Sequence, residues 1–113
     1  MLEAVRVAED IMKAINAIKV EGKQSYALLE AKAMAMANYD KELAVAMARL
    51  KGEGMPVSVI EKTAKGSVSD ALCKKILCEE ILRAHYCRLE NLRAQLNGLQ
   101  SVNRFLEYTV KNA

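Results

Sequence analysis

Four side chains that can bind metal ions or act as nucleophile and base lie close together in the sequence: Cys73, Cys78, His85 and Cys87. On a helix, Cys78 and His85 share a face but lie two turns, about 10 Å, apart, which is too far for one zinc ion. His85 and Cys87 point about 160° apart, so they cannot form a catalytic pair locally. We therefore expect no metal, no cofactor and no enzymatic activity. A metal shared between copies, or a triad assembled from distant segments around this single histidine, is the alternative.

His85 is interpreted as a structural residue whose imidazole hydrogen-bonds a facing polar group. If it is buried at an interface, its protonation would couple association to pH. The three cysteines are an odd number, and the nearest two lie about 7 Å apart along a helix, so no disulfide can join them within it. We expect reduced, half-buried thiols.

The composition indicates one soluble domain over residues 1–113. The chain is 52% hydrophobic and 27% charged, with a formal charge of +3. Four Tyr, one Phe and no Trp leave the core to aliphatic residues and alanine, which favours closely packed helices. Charged residues interrupt every apolar run, the phosphate-binding motifs GxGxxG and GxxxxGK[ST] are missing, and no secretory signal is visible at the start. These features predict a cytoplasmic protein without a membrane partner.

Glycine-containing breaks at residues 21–24 and 51–56 divide the chain into helical segments. The first, about residues 2–20, is amphipathic. Its apolar stripe consists of Leu2, Val5, Ala8, Ile11, Met12, Ile15 and Ile18. The second begins near Ser25 and ends near Leu50, with two heptad rows that predict packing against a long antiparallel helix. These rows are Leu29, Met36, Leu43 and Leu50, and Tyr26, Ala33, Asp40 and Met47.

Asp40 falls on this predicted seam, where an unpaired charge is costly. It either lies at the seam edge or in an ion pair, or it is a functional carboxylate. Residues 57–64 after Pro56 are interpreted as a two-turn connector that ends at Gly66. Ser67 and Asp70 have the spacing of a capping box and predict the start of the longest helix.

That helix, from about Ser69 to Lys111, carries the clearest pattern in the sequence. Its length would be about 65 Å. Gly98 costs about 1 kcal/mol relative to Ala and raises the alternative of a kink, but the apolar register runs through it, which favours continuity. We predict that the seam joins copies of the chain into at least a dimer, with Asn103 either setting the register or lying exposed. The predicted interface residues are Leu82, His85, Leu89, Leu92, Leu96, Leu99, Asn103 and Leu106. The predicted fold is all-α: an elongated helical bundle or hairpin with one long, coiled-coil-like C-terminal helix.

Nucleic acid is the alternative partner. All of the positive excess lies in residues 57–113, and four lysines cluster near the start of the long helix. They are Lys62, Lys65, Lys74 and Lys75. The arginines further along wind around the helix, and few aromatic rings are present for stacking, so a solvated charged surface is favoured.

The segment from Ala64-Lys-Gly66 to the Gln-Ser-x-Asn-x-x-Leu run that ends at Leu106 resembles small helical proteins of bacteriophages and prophages. The resemblance covers about half of the chain and includes no catalytic motif. It implies an accessory factor of replication and recombination, or an inhibitor of a host defence enzyme. We therefore predict a non-enzymatic, phage-encoded factor in the host-cell cytoplasm that occupies a surface of another protein. A nucleic-acid-binding accessory protein of recombination is the alternative.

Overall fold

The computed structural model describes residues 2–112, and these residues form four α-helices and no β-strand. Helix α1 spans Leu2–Gly22, α2 spans Ser25–Gly52, α3 spans Val57–Ser67 and α4 spans Ser69–Lys111. The predicted all-α fold is confirmed.

Helix α4 contains 43 residues, which corresponds to about 64 Å of helix. It continues through Gly98, where an added Cβ would contact nothing within 4 Å. The predicted continuity is therefore confirmed. Helix α3 ends at Ser67, one residue beyond the predicted end at Gly66. Among the described residues, Gly54 has a positive φ of 84°, so this glycine supplies the left-handed turn between α2 and α3.

The junction between α3 and α4 differs from the predicted capping box. Ser67 is the last residue of α3, and its hydroxyl donates to the carbonyl of Ala64 at 2.8 Å. The N–H of Val68 donates to the same carbonyl at 3.2 Å. The Ser67 hydroxyl and the Val68 N–H therefore provide the hydrogen bonds of the Ala64 carbonyl at the end of α3. Helix α4 begins directly after Val68.

The described chain forms two compact units, and α4 contributes to both. The unit of residues 26–83 contains the hydrophobic core, built from the later part of α2, from α3 and from the start of α4. Its buried residues are Tyr39, Ala46, Leu50, Ile60, Ala64, Val68 and Ala71. Three of the seven are alanines, which let the helices approach closely. The predicted helical segment after Pro56 is present as α3, but it is more than a connector, since it buries Ile60 and Ala64 in the core.

The predicted heptad rows of α2 hold only in its later part, where Leu50 is buried and Leu43 and Met47 are half-buried against the core. Ala35, Tyr39, Ala46 and Leu50 are buried, whereas Tyr26, Leu29, Ala33, Met36 and Asp40 are exposed. Alanines recur around most of this helix, so a close helix contact can form on more than one face. The structure uses the face that holds Tyr39, whose ring lies 4.9 Å from the ammonium of Lys75.

The second unit consists of the described residues up to Ser25 and those from Ala84 onward. In this unit α1 packs antiparallel on the later part of α4. Ala14 is the buried residue of α1, and Leu2, Val5 and Met12 of the predicted stripe are exposed. The face of α1 that packs on α4 is therefore centred on Ala14, and it is rotated around the helix axis relative to the predicted stripe.

Candidate functional site

A polar cluster lies where the end of α1 meets α4. Glu21 belongs to the last turn of α1, and Ser25 is the first residue of α2. His85 and Arg88 are three residues apart on α4, so they share one face. His85 is fully buried, whereas the side chain of Glu21 is 19% exposed and that of Arg88 is 54% exposed.

Both ring nitrogens of His85 have a partner. Nε2 lies 2.7 Å from the hydroxyl oxygen of Ser25, and Nδ1 lies 3.1 Å from Oε1 of Glu21. A carboxylate only accepts, so Nδ1–H donates to Glu21, and in the neutral ring Nε2 then accepts the proton of the Ser25 hydroxyl. This confirms that the His85 imidazole bonds facing polar groups.

Arg88 completes the cluster. Its Nε donates to Oε1 of Glu21 at 2.6 Å. This hydrogen bond, and secondarily the one with His85, lowers the pKa of Glu21 below its ordinary value of 4.5. The carboxylate is therefore held in its charged form between two donors.

Serine, histidine and carboxylate occur here in the order of a nucleophile, a base and an orienting acid. Catalysis also needs a substrate to reach the base, and His85 has no exposed surface. The adjacent groove is lined by Glu21, Arg88, Asn91, Leu92 and Gln95, and Ser25 does not line it. Within residues 2–112 no buried side-chain nitrogen or oxygen lacks a partner. The cluster is thus a closed network that fixes α1 against α4.

The predicted oligomer seam is the inward line of α4. Leu82, His85 and Leu89 are buried within one chain. The other predicted interface residues are half-buried: Leu92, Leu96, Leu99, Asn103 and Leu106. From Ala84 onward this line packs within the unit that contains α1, so a second copy would have to displace helix contacts that already exist. Self-association through this seam stays a prediction.

The four predicted nucleic-acid lysines lie in the unit of residues 26–83, and two are engaged there. Lys65 pairs with Glu61 at 2.9 Å, which raises the pKa of Lys65, and Lys75 lies over the ring of Tyr39. Lys62 and Lys74 are exposed.

The cysteines lie apart from the polar cluster. Cys73 and Cys87 are exposed and Cys78 is half-buried, so the prediction of half-buried thiols holds for Cys78 alone. In the described part of the chain, no three His, Cys, Asp or Glu side chains are arranged to hold a metal ion.

Sequence reasoning found His85 but missed Glu21, Ser25 and Arg88. The i,i+3 spacing of His85 and Arg88 on one helix was a visible signal, whereas Glu21 and Ser25 lie on either side of the break between α1 and α2. Whether Glu21 and Ser25 contact His85 and Arg88 depends on the register between α1 and α4, and neither helix specifies that register alone.

Comparison with protein-family models, with curated proteins and with solved structures finds no match. No helix among residues 2–112 is both long and apolar enough to span a bilayer.

Proposed function

We propose that this protein is a non-enzymatic factor that binds another protein through helix α2 and acts by occupying a surface of that partner. One observation carries the proposal: an apolar row on α2 faces solvent. We call it the α2 row, and it consists of Tyr26, Leu29, Ala33 and Met36. Tyr26 is 76% exposed and Leu29 is 49% exposed.

The spacing of the α2 row is that of a helix that inserts into an apolar groove. Its members follow one another at intervals of three, four and three residues, so they form one continuous stripe. The row includes an aromatic, a leucine and a methionine, and aromatic and methionine side chains are enriched at protein interfaces. Asp40 continues the row one turn further and is exposed, so the stripe ends in a charge that would lie at the rim of an interface.

The polar groups favour contact over catalysis. His85 is enclosed, and the carboxylate beside it is already bonded to Arg88. Lys65 and Lys75 are engaged within the chain, which leaves less basic surface for nucleic acid. The resemblance to small phage proteins supports a host protein as the partner, such as a defence enzyme.

The test compares two methionines on α2. Met36 belongs to the α2 row, whereas Met34 is 65% exposed and points about 160° away. Tagged wild type, Met36→Glu and Met34→Glu are used to capture proteins from bacterial lysate at low and moderate salt. We expect one protein to be captured in stoichiometric amount by wild type and Met34→Glu and lost with Met36→Glu, because a carboxylate in an apolar groove is unfavourable.

Salt separates this proposal from the nucleic-acid alternative. Capture through an apolar row persists at moderate salt, whereas phosphate binding weakens steeply. Equal capture by Met36→Glu and wild type would refute the role of the α2 row. Salt-sensitive binding to a short DNA that is lost with Lys62→Ala and Lys74→Ala would favour the alternative.

A further inference from the structure

Helix α2 has a second face with heptad spacing, and it lies opposite the buried residues of this helix. Its members follow one another at intervals of three and four residues in alternation, so they form one stripe. We call this stripe the outer row, and it consists of Ala27, Glu30, Met34, Ala37, Lys41 and Ala44. All six residues are exposed. The outer row lies about 90° around the helix from the α2 row, so the two rows are separate surfaces.

The outer row has the composition and the spacing of a helix–helix contact. Three of its six members are alanines, and such small side chains let a second helix approach to about 8 Å between the axes. Met34, the one large apolar member, is 65% exposed. Steps that alternate between three and four residues are those by which two long helices pack side by side. Since every member is exposed, no other part of the described chain covers this row.

The two charges of the outer row, Glu30 and Lys41, indicate which helix fits it. Neither belongs to an ion pair formed within residues 2–112. They have opposite signs and lie at equal distances from the midpoint of the row, between Ala35 and Met36. A second copy of α2 that runs antiparallel about this midpoint would bring Glu30 of each copy next to Lys41 of the other. Both charges of both copies then meet the opposite sign.

The apolar members of the outer row agree with the same two-fold axis. The axis places Met34 of one copy against Ala37 of the second copy, so each large side chain meets a small one. It also places Ala27 against Ala44, so both ends of the contact consist of small side chains. Parallel copies in register would instead bring like charges together. The outer row is therefore complementary to an antiparallel copy of itself, as an isologous interface requires.

We infer that the chain forms an antiparallel, two-fold dimer in which the outer rows of two α2 helices pack against each other. This dimer goes beyond the proposed function, because it uses a different face of α2 and leaves the α2 row accessible. The contact is about 26 Å long and rich in alanine, so it buries less area than a standard interface. We therefore expect a dissociation constant on the order of 10–100 µM.

Sedimentation equilibrium of the purified full chain tests the dimer at protomer concentrations from about 5 to about 500 µM. We expect the mass to rise from the 12.5 kDa of one chain to twice that value. Met34→Glu should weaken dimerisation at least about tenfold, because its carboxylate would face the apolar Ala37 of the second copy. Met36→Glu is the same substitution on a different face of α2, and it should dimerise as wild type does. Circular dichroism at the helical band checks that both variants fold.

These two methionine variants have opposite expected effects in the capture experiment described above. Met36→Glu should lose the captured protein and keep the dimer, whereas Met34→Glu should keep the captured protein and lose the dimer. Failure of the dimer and failure of the proposed function are therefore distinguishable.

Charge reversal tests the antiparallel arrangement. Glu30→Lys should weaken dimerisation at least about tenfold, because two ammonium groups would then face each other in each charged pair. Lys41→Glu should do the same with two carboxylates, and the double variant should restore the dimer. Glu42→Lys is the matched control, since it makes the same change of charge on α2 about 110° around the helix from the outer row. It should dimerise as wild type does.

Three results would overturn the inferred dimer: a wild type that stays monomeric at about 500 µM, a Met34→Glu or Glu30→Lys variant that dimerises as wild type does, or a loss of dimer with Met36→Glu or Glu42→Lys that equals the loss with its counterpart. A double charge variant that stays monomeric where each single reversal dissociates the dimer would refute the antiparallel axis.

Discussion

The hydrogen bond between Ser25 and His85 leads to a quantitative prediction. We consider Ser25→Ala, His85→Leu and the double variant. Leucine keeps an apolar side chain of similar size at this fully buried position, and alanine removes only the hydroxyl. Each single change also alters local packing, so its own effect on the free energy of unfolding does not isolate the bond. The coupling energy between the two changes isolates the contribution of the hydrogen bond.

The expected coupling energy follows from the geometry. At 2.7 Å the Ser25 hydroxyl and Nε2 form a short neutral hydrogen bond, and a bond of this kind contributes about 1 kcal/mol to stability. Removing Ser25 alone also leaves a buried Nε2 without a partner, whereas the double variant has no buried imidazole left. We therefore expect the double variant to be more stable than the sum of the single effects predicts, by about 1 kcal/mol.

Urea unfolding followed by circular dichroism at the helical band measures all four proteins. A matched cycle combines His85→Leu with Ser101→Ala, another serine to which the histidine is not bonded, about 24 Å along α4. That cycle should be additive. If the Ser25 cycle is also additive to within about 0.5 kcal/mol, the hydrogen bond does not stabilise the fold and our assignment of the cluster is refuted.

Two further predictions concern the cluster and the core. Because hydrogen bonds from Arg88 and His85 lower the pKa of Glu21 in the folded state, its stabilising effect is complete above its unfolded value of 4.5 and is lost as the pH falls through the lower folded value. Urea midpoints measured from about pH 6 down to pH 3 should therefore fall more steeply for wild type than for Glu21→Gln, and parallel curves would contradict this. Ala64 has no exposed surface, so Ala64→Leu should lower the free energy of unfolding by about 1–3 kcal/mol, whereas Ala44→Leu on the exposed face of α2 should change it by less than about 0.5 kcal/mol. Equal urea midpoints for these two variants would refute the assignment of the core.

The sequence predicts the inward line of α4 well because leucines mark it. Leu82, His85 and Leu89 of the predicted seam are buried, and its members from Leu92 to Leu106 are half-buried. Large apolar residues at regular intervals on an otherwise polar helix leave one face for packing. The same argument predicts that Gly98 lies within a continuous helix.

The sequence predicts the buried face of α2 only in its later part, for a physical reason. Alanine neither opposes burial nor requires it, and this helix holds alanines on several faces. The buried face of α2 is therefore set by Tyr39 and Leu50. These two residues belong to the same core cluster as Ile60 and Ala64 of α3, the helix that was expected to be a connector. The burial of Tyr39 depends on the tertiary arrangement, and the heptad periodicity of α2 does not encode it.

Of the polar cluster, the buried histidine could be predicted from the sequence, but its hydrogen-bond partners could not. A lone histidine on a leucine seam indicates a buried imidazole that needs partners. Which groups provide them depends on the register between α1 and α4. Ala14 is the buried residue of α1, and an alanine does not mark a register in the sequence, so the register cannot be read from Glu21 or Ser25 alone.

The pairing of α1 with the later part of α4 has a consequence for synthesis on the ribosome. Residues 26–83 form their unit from one uninterrupted stretch of sequence, so all residues of that unit have been synthesised before Ala84 is added. Helix α1 is made earlier, and the part of α4 that covers it follows only after the whole of that unit, as the separation of 64 residues between Glu21 and His85 shows. The nascent chain therefore carries an uncovered amphipathic helix until translation passes Leu89, and closing that long-range contact is the step with the larger entropic cost.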